Sequence, residues 1–266
     1  SRRSGTLPRM TTPGVLEGKV AIVTGAARGV GAGIARAFAK EGARVAVVDL
    51  DGDGAERVAT ELNGTEGAAS AVRCDIRDSG QVDACVADVV DRFGTVDILV
   101  NNAIDATSGR FEDITDDDLD RVLDTGPKAT LYFMRACFPH LKSRPDGGRI
   151  INLRSGSEPQ GLSGFGAYIA SKAAVGGLTR AAAREWGRHG ITVNALCPFV
   201  LSDGARSYFD ERPEELDRIV LKSLSIPRLG DAEADVGRAA VFLAGPDSGY
   251  VTGCTLTVDG GGSFFS

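Results

Sequence analysis

The sequence is poor in the residues that build metal centres and disulfide frameworks. In 266 residues it has two histidines, His140 and His189, and five cysteines, Cys74, Cys85, Cys137, Cys197 and Cys254. The cysteines are odd in number, widely spaced and free of any CxxC pair, so they read as reduced, buried thiols rather than ligands or bridges, and no metal is expected. His140 follows a proline at a helix end and His189 precedes a glycine, which suits surface charge near helix C-termini. No apolar run approaches the ~20 residues that span a bilayer. Basic charge is short as well: 30 Lys+Arg against 36 Asp+Glu give a formal net charge of −6, which argues against nucleic acid as a partner. Residues 1–13 hold Arg2, Arg3 and Arg9 but no apolar stretch, so they do not read as a secretory signal. With Met10 inside that segment, residues 1–9 read as a remnant and 1–15 as a disordered tail, and the whole suits the cytoplasm.

What is abundant is glycine, 35 residues without any repeat, nearly twice the usual ~7%. From Lys19 onward, short β-branched runs alternate with longer amphipathic stretches, the rhythm of a parallel sheet with crossover helices. Seven strands are expected: 19–24 (KVAIVT), 44–49 (RVAVVD), 70–74 (SAVRC), 96–101 (VDILVN), 149–153 (RIINL), 191–196 (ITVNAL) and 254–258 (CTLTV). They are apolar throughout rather than alternating, as strands covered on both faces must be. Helices are expected over 29–41, 80–93, 116–142, 165–188 and 231–244, with Thr115 and the acidic run after it as an N-terminal cap. The fold class is therefore α/β, a doubly wound, Rossmann-like parallel sheet of seven strands with helices on both faces, in one domain over 16–266. Residues 199–226 mix aromatic and acidic residues and read as a substrate lid at the carboxyl edge of the sheet.

Chemistry gathers at the strand ends. Thr24-Gly25-Ala26-Ala27-Arg28-Gly29-Val30-Gly31 joins the first strand to its helix. Gly25 permits the turn, Gly29 lets backbone approach a pyrophosphate, and Gly31 lets helix and strand pack closely. Asp49 ends the second strand 18 residues after Gly31, the place of a carboxylate that accepts hydrogen bonds from an adenosine ribose and repels a 2′-phosphate. NAD is favoured on that reading. A turn-capping role for Asp49 ahead of Gly52 is the alternative, and Arg28 pulls towards NADP. Tyr168 and Lys172 lie one helical turn apart, so an ammonium should draw the phenol pKa down towards general acid/base use. Ser155 stands 13 residues before Tyr168, just beyond a strand end, where ligands collect in open α/β sheets.

From about Leu16 to the C-terminus the chain resembles the short-chain dehydrogenase/reductase family of the single-domain type. TGAARGVG matches its cofactor loop, Asn101-Asn102-Ala103 its NNA element, and Ser155, Tyr168 and Lys172 its catalytic trio. Cys74-Asp75-Ile76 resembles its adenine-contacting segment, and Val258-Asp259-Gly260-Gly261 its closing strand. The resemblance implies cofactor contacts at Gly25, Arg28, Gly29, Val30, Gly31, Asp49, Leu50, Asp75, Ile76, Asn102, Ala103, Tyr168, Lys172, Pro198 and Val200. It also implies hydride transfer between NAD(H) and a secondary alcohol or ketone, in a homodimer or homotetramer. The small-residue face Ala170, Ala173, Ala174, Gly176 and Gly177 would serve either internal packing or a second subunit. Phe165, Phe199, Tyr208, Phe209, Ile104 and Leu201 suggest an apolar substrate.

Three departures stand out. The family's NNAG reads NNAI, with Ile104 where glycine is usual. Pro198-Phe199-Val200-Leu201-Ser202 lacks the family's glycine after the proline. Thr125-Gly126-Pro127-Lys128-Ala129-Thr130 aligns with VNLKGT, so Gly126 replaces the asparagine that holds a helix kink and a relay water. Either freed backbone carbonyls hold that water, or the relay is broken. Two further readings stay open: an NADPH-dependent ketoreductase resembling 3-oxoacyl reductases, and a dinucleotide-binding protein without catalysis. Glu158, close to Ser155, reads as a loop carboxylate turned to water.

Overall fold

Each β-branched run is apolar at successive positions and bounded by glycine or polar turns, the composition of a strand covered on both faces. In the computed structural model, which describes residues 13–64, 69–201 and 203–265, these runs form β1 Val20–Thr24, β2 Arg44–Asp49, β3 Ala69–Arg73, β4 Ile98–Asn101, β5 Arg149–Leu153, β6 Thr192–Pro198 and β7 Thr255–Val258. All pair in parallel in one seven-stranded sheet, in the order β3-β2-β1-β4-β5-β6-β7. The chain winds outwards in opposite directions from β1 and β4, so a crevice opens beyond their carboxyl ends. The register brings Thr24 beside Val48, and Asn101 beside Asn152, which aligns those ends along one edge.

Among the described residues the α-helices are α1 Gly29–Lys40, α2 Gly52–Asn63, α3 Ser79–Phe93, α4 Asp116–Leu123, α5 Ala129–Leu141, α6 Ser157–Gln160, α7 Gly166–Trp186, α8 Asp203–Asp210, α9 Pro213–Glu215 and α10 Arg238–Ala244. Strand residues alternate between two cores, as a period of two requires. Ala21, Val23, Val45 and Ile151 meet Ile34 and Phe38 of α1, Val58 and Leu62 of α2, and Val241 of α10. Val20, Ile22, Leu99 and Ile150 meet Val82, Val86 and Val89 of α3, Phe133 and Met134 of α5, and Ala183 of α7.

The helix α2 is a feature the sequence pattern did not announce. Its segment is low in hydropathy and starts with two glycines, but Ala55, Val58, Ala59 and Leu62 make a narrow buried stripe, and Asp51 caps it by accepting from the Gly54 N–H. The expected single helix over 116–142 is divided. A capping box formed by Thr115 and Asp118 starts α4, and a π-helical turn, Asp124–Lys128, separates α4 from α5. Pro127 has no N–H to continue the α-helical ladder, so the extra residue of a π-turn is accommodated there. Residues 199–226 form α8, α9, a π-turn Leu216–Val220 and a short 3-10 turn Leu221–Ser223; Ser202 lies outside the described residues. Of the expected tail 1–15, residues 1–12 also lie outside them, while Val15 donates its N–H to Glu41 and Leu16 is buried.

Candidate functional site

The crevice is built first from backbone. Thr24, the last residue of β1, accepts at Oγ1 from the N–H groups of Asn102 and Ala103, at 3.0 and 3.1 Å. The Asn102 amide donates to the carbonyls of Thr24 and Gly25, at 2.9 and 3.0 Å, and so bridges the gap between β1 and β4. A Cβ at Gly31 would fall 2.2 Å from the Gly25 carbonyl oxygen, which leaves no room for any side chain. Gly29 has φ +56° with open space above it. No side chain caps α1 at Arg28, so the first N–H groups of the helix face that open turn.

Asp49 is held at the end of β2 by accepting from the N–H groups of Ala27 at 2.9 Å and Asp51 at 3.0 Å. The carboxylate is thereby tied to the glycine loop, with Leu50 exposed beside it. Asp75, beyond β3, pairs with Arg77 at 2.6 Å, and that hydrogen-bonded guanidinium holds its carboxyl below the usual range. Ile76 is half-buried against the α3 side of the core. The open turn, the helix N-terminus and the fixed carboxylate together fit a dinucleotide.

The second half of the site lies beyond β5. Leu153 ends that strand, Ser155 follows, and α7 carries Tyr168 and Lys172 on one face. Tyr168 and Ser155 line one cavity together. Ser155 Oγ stands 2.5 Å from Ser157 Oγ and also accepts the Ser157 N–H at 3.3 Å. Lys172 is buried, its Nζ donating to the Leu153 carbonyl at 2.8 Å and lying 5.7 Å from the centre of the Tyr168 ring. Burial pushes the lysine down to about 8. The sequence argument expected the ammonium to lower the phenol; instead burial raises Tyr168 and the neighbouring Ser155 hydroxyl offsets only part of that. Loss of solvation outweighs the neighbour because the lysine is directed at a carbonyl rather than at the phenol oxygen.

Two of the departures from the family pattern prove to be neighbours. A Cβ at Gly126 would fall 2.0 Å from Ser171 Oγ and 3.7 Å from Cδ1 of Ile104. Ser171 donates to the Val122 carbonyl at 2.8 Å, the acceptor that an N–H at position 127 would serve in a π-turn. The hydroxyl thus replaces the donor that Pro127 lacks. The expected free carbonyl is taken by a side chain, and the space beside it is filled by an isoleucine.

A cavity of about 530 Å³ opens onto Ser155, Tyr168 and Lys172. Pro198, Phe199, Val200 and Leu201 form one wall, with Ile104, Leu162, Phe165 and Leu224; Ser157, Gln160, Asp259 and Ser263 form a polar end. Tyr208 and Phe209, expected to face a substrate, instead pack on each other with ring centres 5.2 Å apart, and Tyr208 donates to Glu215. Aromatic residues on a short exposed helix satisfy each other when no core is within reach. Glu158 is not turned to water: it pairs with the buried Arg154 guanidinium. Sequence reasoning passed over Arg154; the signal was a single cation directly after a strand buried on both faces. Among the described residues no cluster of side chains could hold a metal ion.

A fold of this order, with a glycine turn and fixed acid on one side of the switch point and a Ser–Tyr–Lys cluster on the other, defines a dinucleotide-dependent oxidoreductase class. The family model described as enoyl-(acyl carrier protein) reductase matches residues 25–263. Sorbitol dehydrogenase of Cereibacter sphaeroides is 38% identical over 254 residues, covering 92% of this chain and 98% of that one. Galactitol 2-dehydrogenase of Agrobacterium fabrum is 40% identical over 255 residues, with 92% and 98% covered. A solved structure from Sinorhizobium meliloti, described as a short-chain alcohol dehydrogenase, superposes with a TM-score of 0.86 at 33% identity, covering 93% of this chain and 97% of that one. The chain belongs to the short-chain dehydrogenase/reductase family. It is an NAD(P)-dependent oxidoreductase acting on an alcohol CH–OH group.

Proposed function

We propose that the protein is an NAD(H)-dependent dehydrogenase of a secondary alcohol with an apolar body. The observation that carries this reading is one cavity in which Ser155, Tyr168 and Lys172 meet a wall of Ile104, Leu162, Phe165, Phe199 and Leu201. The nicotinamide ring, when bound, supplies the hydride acceptor or donor. Tyr168 takes the hydroxyl proton, Ser155 donates to the same oxygen, and Lys172 would hold the nicotinamide ribose. Gly25, Arg28, Gly29, Val30, Gly31, Asn102 and Ala103 cradle the diphosphate side. Asp49 and Leu50 face the adenosine ribose, Asp75 and Ile76 the adenine, and Pro198 and Val200 the nicotinamide. NAD is favoured because the Asp49 carboxylate is fixed by two backbone donors, where it would repel a 2′-phosphate.

Calorimetric titration with NADH and NADPH tests the cofactor, and tight NADH with weak NADPH is expected. Tight NADPH binding alone would turn the reading to a ketoreductase. Turnover of lipophilic cyclic secondary alcohols above that of sorbitol or galactitol is expected. The polar end of the cavity and the activities named for the two relatives favour a polyol as the second reading, and the reverse preference would establish it. Tyr168→Phe should abolish turnover by about a thousandfold with NADH affinity retained. Wild-type turnover in that variant would remove the assignment. The non-catalytic alternative is weakened, since Ser155, Tyr168 and Lys172 meet in one cavity.

The lid role of 199–226 remains part of the proposal, as does assembly into a homodimer or homotetramer in the cytoplasm. Ala170, Ala173, Ala174 and Gly177 are exposed on α7, whereas Gly176 is buried against Arg154. The exposed part of that face suits a second copy, and light scattering of the purified protein tests it.

A further inference from the structure

Tyr168, Lys172 and Gly176 follow one another at intervals of four along α7 and so share one face of that helix. Two consecutive residues at the end of β5 dock on that face. The Leu153 carbonyl accepts from Lys172 Nζ at 2.8 Å. The Arg154 guanidinium lies against Gly176, where a Cβ would fall 2.8 Å from both Cζ and Nε. Ser155 is the next residue. The same guanidinium, 7% exposed, also closes the turn that carries Ser155. Its Nε donates to Glu158 Oε2 at 3.0 Å and its Nη2 to the other carboxylate oxygen, while the Glu158 N–H donates to the Ser155 carbonyl at 3.2 Å. Nη1 donates to Thr255 of β7 at 2.6 Å, and the Phe265 ring centre lies 4.3 Å from Cζ. The opposite flank of the turn rests on Ser263, whose Oγ would stand 2.7 Å from a Cβ at Gly156. A planar fork engaged on a carboxylate, a hydroxyl and a ring at once has one position, and its thickness is fixed.

We propose that Arg154 is a positioning residue for the reaction: its guanidinium is the spacer that sets how closely the Ser155 turn approaches the Tyr168–Lys172 face of α7. The inference rests on the assignment of Ser155 and Tyr168 to the substrate oxygen, since only then does their separation control the rate. Arg154 takes part in no proton or hydride step. It holds the turn through Glu158 on one side and bears on Gly176 on the other, so glycine at 176 and arginine at 154 form a matched pair. Two groups that must meet one substrate oxygen tolerate little displacement, and a shift of about 1 Å can cost orders of magnitude in rate.

Two variants alter the spacer in different ways. Gly176→Ala pushes the guanidinium aside while giving α7 a better helix former than glycine. Arg154→Met with Glu158→Leu removes the spacer and leaves no buried charge unpaired. Oxidation of cyclohexanol, and of sorbitol in parallel, is measured with NAD and counted per NADH site titrated by calorimetry, so that unfolded protein does not enter. In both variants kcat should fall about tenfold, with the alcohol KM and the NADH affinity within about twofold of wild type. Combining the two sets of changes should lower kcat little further, because both act through one guanidinium. Wild-type kcat per site in both variants would overturn the proposal and leave the guanidinium a role in stability alone. A loss confined to KM would also overturn it, making Arg154 a substrate contact. An inactive Tyr168→Phe beside wild-type kcat in both variants would leave the functional reading standing and remove only the spacer. An active Tyr168→Phe would remove both.

Discussion

Lys172 shows how much one buried ammonium changes. Its pKa is pushed down to about 8 from 10.5, so between those values the native state has released a proton that the unfolded chain still holds. Stability must therefore rise with pH across that window, by up to about 3 kcal/mol relative to a chain without the lysine. Urea unfolding of the wild type and Lys172→Met at pH 7 and pH 10 should show the difference between them growing in favour of the wild type. A constant difference would mean that the ammonium is hydrated in the fold. Asp49 acts through charge. Asp49→Asn keeps an acceptor for one backbone donor and removes the repulsion, so the preference for NADH over NADPH should shrink by about tenfold, measured by calorimetry.

At the scale of elements, the turn between α4 and α5 depends on a residue from α7. Pro127 removes an N–H, Ser171 supplies the missing donor to Val122, and the absence of a Cβ at Gly126 leaves that hydroxyl its place. Gly126→Ala should cost about 1–3 kcal/mol because it expels the hydroxyl from its bond, and Ser171→Ala should cost about the same. Together the two changes should cost clearly less than their sum, a coupling that a double-mutant cycle with chemical denaturation reads directly. The strands were legible from their β-branched runs. The helix α2 was not, because its buried stripe is narrow and its first turn holds two glycines; only packing against β2 and β3 makes it a helix.

In the whole molecule, Arg154 joins parts of the chain far apart in sequence. Its guanidinium pairs with Glu158, donates to Thr255 of β7 at 2.6 Å, faces the Phe265 ring at 4.3 Å and leaves no room for a Cβ at Gly176 of α7. Both charged side chains are largely shielded, at 7% and 14% exposure. Glu158→Gln or Arg154→Met alone should cost about 3–5 kcal/mol, since each strands a buried charge, while Arg154→Met with Glu158→Leu should recover most of that loss. Denaturant unfolding of the three variants checks it, and equal costs for single and double changes would show that the pair is hydrated.

The strands, the glycine turn, the acid of β2 and the Ser–Tyr–Lys spacing follow from the sequence alone, because each rests on a local period or a short-range stereochemical demand. Tertiary structure decided what those residues meet. It turned Lys172 towards a carbonyl, Glu158 inward onto Arg154, and Tyr208 away from the cavity, and it brought Ile104, Gly126 and Ser171 to one point. Burial and pairing are properties of segments that approach only when the sheet is assembled, so no local pattern records them.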